Sequence, residues 1–375
     1  MSRGAPEYQH VYVHVPFCSR RCSYCDFSIA VRRDVPVEAY VKSILVEFDI
    51  RHSGADFGDV KTLYLGGGTP SKLGPAGVVN LIGRLTSDGV ALATGAEVTI
   101  EANPEDITQE AATAWLSAGV NRLSVGIQSF DDEALAWMHR THTADQASGG
   151  FRAARQAGFG DISLDLIYAL PARLGRVWEA DLDRAIELEP DHMSVYGLTV
   201  EPRTPLGKWT ARGAEFRQTD DKAAEEFLHA DRVLRAAGFD HYEVSSYARP
   251  GKRSRHNSAY WNRVPYMGLG PSAHSFDGAS RRWNVSALTG WEAALAHGDD
   301  PVDGTEYLTP EQHAAETTYL ELRTDGGAAF KAAANAARAV RWVDEGWATA
   351  DGSRTRLTAE GWLRLDALVA SVDPE

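Results

Sequence analysis

The sequence predicts an α/β fold, an open partial parallel barrel of six βα units, followed by an accessory region and a small winged-helix-like α+β module. Three observations carry that expectation. From residue 11 to about 200, short β-branched runs alternate with longer amphipathic stretches, the pattern of strands joined by helical crossovers. The alternation yields six units, short of the eight that close a full barrel. Beyond residue 203 it stops.

The expected strands are, in order, 11–15, 62–65, 98–101, 122–126, 162–167 and 193–198. Helical periodicity fills 37–51, 108–118, 144–157 and 178–188, with glycine closing several of these stretches. The strands are followed at once by PFC, GGGTP, ANPED, IQSF and ALP, so the unusual residues gather on the rim formed by strand C-terminal ends. Residues 1–202 are read as this core. Residues 203–305, with one long helix near 220–237 and then a stretch rich in Tyr, Trp, His, Asn and Gly, are read as a lid or accessory layer. Residues 306–375 read helix (310–322), helix (328–345), hairpin near Asp351 and Gly352, helix (359–369).

With 375 residues, 43% of them apolar, the chain has ample material for a core. Its 38 Lys plus Arg against 52 Asp plus Glu give a net charge of −14, a surface that repels phosphate backbones and makes nucleic acid a poor partner. The sequence shows neither a long apolar run nor the basic, apolar, small-residue order of a signal peptide, so a cytoplasmic location is expected.

All three cysteines, Cys18, Cys22 and Cys25, lie in one eight-residue run, CSRRCSYC, directly after the first strand. An odd, crowded set is a poor disulfide framework. A structural zinc site usually takes four protein ligands, whereas a cube cluster on three thiolates leaves one iron open. The alternatives are zinc and free thiols.

CxxxCxxC with an aromatic before the last cysteine, here Tyr24, resembles the motif of the radical-SAM superfamily. More narrowly, YVHVPFCSRRCSYCDF, YLGGGTPS, EANPE, NRLSVGIQSF and LDLIYALP resemble the branch that contains oxygen-independent coproporphyrinogen III oxidase and the heme chaperone HemW, nearly end to end. The resemblance implies a radical-SAM type barrel, a [4Fe–4S] cluster on Cys18, Cys22 and Cys25, and S-adenosylmethionine at the open iron.

The resemblance also implies roles for particular residues. Tyr12, by its hydroxyl, and Tyr24 would contact the cofactor, ordinary core packing being the alternative. The turn Gly66, Gly67, Gly68 and Thr69 would receive the amino group of its methionine moiety, although such turns often serve geometry alone. Glu101 and Asp165 would accept from amine and ribose groups, and an unpaired carboxylate in an apolar strand is costly without such a partner. Arg140 would pair with the carboxylate, the alternative being a solvated helix end; Gln128, Tyr196 and Thr199 would complete the lining. Ala169 departs from the pattern LxxGLP, which carries glycine there.

Two positions separate the branches. Phe27 stands where the oxidase has a fourth cysteine, and CDF resembles the chaperone. Later, His256, Asn257, Tyr260 and Trp261 form HNxxYW, associated in HemW-like proteins with heme: imidazole for iron, aromatic faces for the macrocycle. A hydrogen-bonded structural histidine is the alternative. His274 is a second ligand candidate, and Arg249, Lys252, Arg253 and Arg255 form either a propionate site or a solvated loop. The expected function is heme binding and transfer to acceptor proteins, membrane-bound ones included, with homodimer formation and an electron donor as further expectations. Coproporphyrinogen III oxidation is the alternative, and another radical-SAM substrate a third reading.

Overall fold

In the computed structural model, which describes residues 7–52, 59–215 and 217–374, all six expected strands form, and the first five lead into the expected rim segments. Residues 1–6, part of the stretch read for a leader, lie outside the described residues. In chain order the core runs β1 (His10–Val15), a short pair β2 (Phe17–Cys18) and β3 (Ala30–Val31), α1 (Val37–His52), β4 (Val60–Gly67), α2 (Gly74–Ser87), β5 (Leu92–Ala102), α3 (Gln109–Ser117) and β6 (Arg122–Gln128). It continues with α4 (Asp132–Trp137), α5 (Ala144–Ala157), β7 (Ile162–Tyr168), α6 (Trp178–Glu187), β8 (His192–Gly197), α7 (Pro205–Ala211) and α8 (Asp220–Ala236).

Three further strands lie beyond residue 203, which corrects the reading of that region as a layer apart from the sheet. These are β9 (Asp240–Glu243), β10 (Ser246–Ala248) and, after α9 (Arg255–Trp261), β11 (Met267–Leu269). They extend the sheet to nine strands in the order β11-β1-β4-β5-β6-β7-β8-β10-β9. From β11 to β8 neighbouring strands pair parallel, and only the pairings of β10, with β8 and with β9, are antiparallel. The barrel is therefore open, as expected, but longer than six strands.

Strand alternation sorts the two faces. Val11, Val13, Leu63, Leu65, Ile100, Leu123, Leu164 and Met193 are fully or almost fully buried in the main apolar core. The alternate positions, among them Tyr12, Tyr64, Glu101, Ser124, Asp165 and Ser194, stand on the concave face. Their register places Tyr12 beside Tyr64, Glu101 beside Ser124, and Asp165 beside Ser194. A parallel strand with an apolar outer face and a polar inner one fits a barrel that opens on a ligand.

The rest of the chain adds β12 (His274–Phe276), β13 (Ser280–Asn284), α10 (Leu288–His297) and β14 (Val302–Tyr307), then α11 (Pro310–Leu322), α12 (Ala333–Asp344), the hairpin β15 (Ala348–Asp351) and β16 (Arg354–Leu357), α13 (Ala359–Trp362) and α14 (Leu365–Ala370). The last part follows the expected order, with the final helix split in two. Its own core, including Leu322, Trp342, Trp362 and Leu365, takes in Phe227 from α8. Among the described residues no helix is long and apolar enough to cross a membrane.

Candidate functional site: a cysteine-lined cavity at the strand ends

A cavity of about 480 Å³ opens at the C-terminal ends of the strands. Cys18, Cys22 and Cys25 line it from the loop after β1, with Tyr24 between them. The loop is held by its middle: Ser23 donates its backbone N–H to Met138 O at 3.1 Å, and Leu206 at the start of α7 donates back to Ser23 O at 2.8 Å. Cys18 Sγ lies 3.5 Å from Thr69 Oγ1. Burial pushes the Cys25 thiol up to about 11 and raises that of Cys18. Both stay protonated near neutral pH unless a cation draws off the proton.

Gly67 and Gly68 line the cavity from the turn after β4. Gly67 adopts φ +109°, and a Cβ on Gly68 would come within 2.7 Å of the Pro16 backbone, so both positions require glycine. The turn is fastened to Glu101: Gly67 donates its N–H to Glu101 Oε2 at 3.0 Å and Tyr64 its hydroxyl to Oε1 at 2.8 Å. Burial raises the Glu101 carboxyl to about 7. Asp165, raised to about 6 by burial, accepts from Ser124 Oγ at 3.2 and 3.3 Å. Two carboxyls in one cavity that both ionise near neutrality suit a cationic guest.

Arg140 follows α4 and reaches across the cavity wall. Its Nη2 donates to Asn103 Oδ1 at 2.7 Å and to Gly126 O at 2.8 Å, and its Nη1 stands 3.6 Å from Cys22 Sγ. Its Nε is buried without a hydrogen-bond partner. Gln128, held at φ 73°, and the exposed Thr199 complete the set. Three thiols, an orphaned guanidinium N–H, a glycine cradle and two raised carboxyls together fit an iron–sulfur cluster with a ligand bearing both amino and carboxylate groups.

Residues 12–221, more than half of the chain, match the family model described as Radical SAM superfamily. The curated heme chaperone HemW of Mycobacterium tuberculosis is 36% identical over 96% of this chain and 94% of its own length. HemW of Bacillus subtilis is 32% identical over 85% of this chain and 84% of its own. The chain belongs to the radical SAM superfamily and, within it, to the HemW family. The solved coproporphyrinogen III oxidase HemN from Escherichia coli shares the fold, with a TM-score of 0.81 over 99% of this chain and 90% of its own at 22% identity. A [4Fe–4S] cluster and S-adenosylmethionine are what radical SAM membership implies, and the cavity supplies residues of the right chemistry for both.

The structure places HNxxYW away from the cysteine-lined cavity. Arg255 and His256 donate their backbone N–H groups to Glu97 Oε2 and Oε1 at 2.8 and 2.9 Å, which anchors the first turn of α9. The His256 side chain then inserts under the barrel, 1% exposed and stacked on Tyr64 with ring centroids 4.9 Å apart. Its Nδ1 lies 2.6 Å from Thr62 Oγ1 and its Nε2 2.7 Å from Tyr260 Oη, so both ring nitrogens are occupied. Thr62 also meets His10 Nδ1 at 2.8 Å, which puts His256 at the strand N-terminal end, opposite the cysteines. Burial lowers the His256 imidazole to about 3.

The neighbouring expectations shift with it. In this structure Trp261 lies under Arg323, whose guanidinium is 4.4 Å from the ring, and Asn257 and Tyr260 are half-buried on α9. His274 is exposed on β12, stacked on Trp283. The basic cluster is committed elsewhere: Arg249 to Pro190 O, Lys252 to Asp191, Arg253 as a fork on Asp325, Arg255 to Gly95 O. Tyr12 does not line the cavity, its hydroxyl being 3.0 Å from His14 Nδ1.

Asn103, Ser124 and His139 also line the cavity and were not anticipated. Asn103 and Ser124 were open to discovery, since ANPED follows a strand directly and Ser124 alternates with Gly126 on one face. Ala169, where the family pattern carries glycine, adopts φ 60° and donates its N–H to Glu226 Oε2 at 2.7 Å. The glycine of the pattern therefore answers a left-handed turn.

Proposed function

We propose that this protein is a cytoplasmic heme chaperone, binding heme and passing it to acceptor proteins from a radical-SAM scaffold. The observation that carries the reading is the match to curated HemW proteins along almost the whole chain, together with Phe27 at the position where the oxidase resemblance requires a fourth cysteine. Heme-accepting proteins are the partners it requires, membrane-bound ones included. An electron donor enters only if S-adenosylmethionine is cleaved. In this reading residues 1–202 carry the cofactor cavity, while 203–305 and 306–375 serve cargo and acceptor, as functional rather than folding units, since strand pairing crosses residue 202.

Cys18, Cys22 and Cys25 would hold the cluster, and Glu101, Asp165 and Arg140 would orient S-adenosylmethionine against it. When bound, the cluster supplies the single electron that radical-SAM chemistry uses to cleave the sulfonium. The chain's own contribution is a cradle without side chains at Gly67 and Gly68, two carboxyl acceptors and one guanidinium.

The intact cavity keeps the oxidase as the second reading, and one experiment separates the two. The protein is reconstituted anaerobically with iron and sulfide, then titrated with heme and, separately, incubated with coproporphyrinogen III, S-adenosylmethionine and a reductant. Stable heme binding without porphyrin product supports the chaperone. Decarboxylated product from a fully loaded cluster overturns it.

A further inference from the structure

We propose that α9, which carries HNxxYW, and the cysteine-lined cavity are coupled through Tyr64, so that heme taken by His256 and S-adenosylmethionine held beside Glu101 weaken one another's binding. The proposal rests on the heme-binding reading above and concerns how that cargo is regulated. The route follows the inward face of β4, along which side chains recur with period two. At the N-terminal end of the strand, Thr62 Oγ1 meets His256 Nδ1 at 2.6 Å. Two residues on, the Tyr64 ring stacks on His256, centroids 4.9 Å apart and planes 26° apart, while its hydroxyl donates to Glu101 Oε1 at 2.8 Å. Glu101 Oε2 accepts the N–H of Gly67 at 3.0 Å, so both carboxyl oxygens are placed from β4. Tyr64 thus touches the motif with its ring and the cavity's carboxylate with its hydroxyl.

The joint has little slack. A Cβ on Gly66 would stand 2.8 Å from the Tyr64 ring, 3.0 Å from the Tyr12 ring and 3.1 Å from Glu101 Oε1, so these three groups meet across a position that only glycine leaves open. Burial pushes the Tyr64 hydroxyl well above its ordinary value, which keeps it a donor. Groups packed this closely respond to a displaced neighbour by repacking together.

The element with two positions is the His256 side chain. Both of its ring nitrogens are engaged, Nδ1 with Thr62 and Nε2 with Tyr260 Oη at 2.7 Å, so iron gains an imidazole lone pair only where one of these hydroxyls gives way. The backbone has no need to follow, because Glu97 holds the N–H groups of Arg255 and His256. When the ring leaves, Tyr64 loses the face that supports it and Glu101 the donor that aims it. Conversely, a Glu101 engaged with a cationic amine holds Tyr64 in place and favours the sealed ring. Such coupling is reciprocal by thermodynamic necessity. The chain therefore gives up cargo more readily when its cavity is filled.

The test uses the full chain with its cluster reconstituted anaerobically. Equilibrium dialysis with labelled S-adenosylmethionine gives its dissociation constant with and without saturating hemin, whose uptake is followed by the Soret band. In the wild type, saturating hemin is expected to raise that constant about fivefold or more, and saturating S-adenosylmethionine to raise the hemin constant by the same factor. Tyr64→Phe is the deciding variant, because it keeps a ring against His256 and removes only the bond to Glu101. It is expected to take up hemin, to hold S-adenosylmethionine roughly tenfold more weakly than the wild type, and to show each constant nearly independent of the other ligand. Equal mutual weakening in Tyr64→Phe, as direct competition for one site would give, overturns the route. S-adenosylmethionine affinity that ignores hemin in a loaded wild type overturns the coupling and leaves the chaperone reading standing. A wild-type protein that takes up no hemin overturns both.

Discussion

Nη1 of Arg140 lies 3.6 Å from Sγ of Cys22, and the neighbouring Nε of the same guanidinium is buried without a partner. One side chain thus faces both the cysteine loop and the interior of the cavity. Replacing Arg140 with Met removes a charge-assisted contact worth about 1.5–3 kcal/mol, so the dissociation constant for S-adenosylmethionine should rise roughly ten- to a hundredfold. Calorimetric titration of the reconstituted variant measures it, and equal affinity would remove Arg140 from the ligand site.

Glu101 makes cofactor binding depend on pH. Burial raises its carboxyl to about 7, and a cationic guest requires the ionised form. As pH falls through 7 the carboxyl takes up a proton that binding must expel, so affinity declines, by roughly tenfold between pH 7.5 and pH 6. Glu101→Gln should bind S-adenosylmethionine weakly and with a flattened profile over the same range. A wild-type profile that is flat there would disprove the assignment.

Ala169 stands in a left-handed turn, at φ 60°, with its N–H on Glu226. Ala169→Gly relieves the Cβ clash at the expense of unfolded-state entropy, for a net gain of about 1 kcal/mol. Thermal unfolding should show a higher midpoint for the variant. A lower one would mean that the methyl group packs usefully.

His256→Ala should destabilise the fold by about 2–4 kcal/mol, because it empties the space under Tyr64, strands the hydroxyl of Tyr260 and leaves Thr62 with His10 alone. The pH dependence carries a sign. Burial lowers the folded-state imidazole to about 3, so below the ordinary value of 6.5 the unfolded chain takes up a proton that the folded one refuses. The stability contributed by neutral His256 is therefore lost as pH falls from about 6.5 towards 3. Urea unfolding at pH 7 and pH 5 should show a smaller acid loss in the variant than in the wild type.

The six core strands and their rim were legible because two periodicities and the glycine turns agreed with one another over two hundred residues. The cysteine run was legible through its spacing. Strands β9, β10 and β11 were not, since segments of three or four residues such as Met267–Leu269 are too short to show alternation. HNxxYW left two readings open, because imidazole beside aromatic rings serves a macrocycle and a buried plug equally well, and the hydrogen bonds to Glu97, Thr62 and Tyr260 are visible only in the structure.

The clamp on Ser23, between Met138 and Leu206, has a consequence for assembly. A free peptide bearing three cysteines loses its chain entropy at the moment it captures iron. Here α4 and α7 restrain the middle of the run as the polypeptide folds, so incoming iron meets thiols whose backbone is already shaped. Such a clamp favours folding first and metallation second.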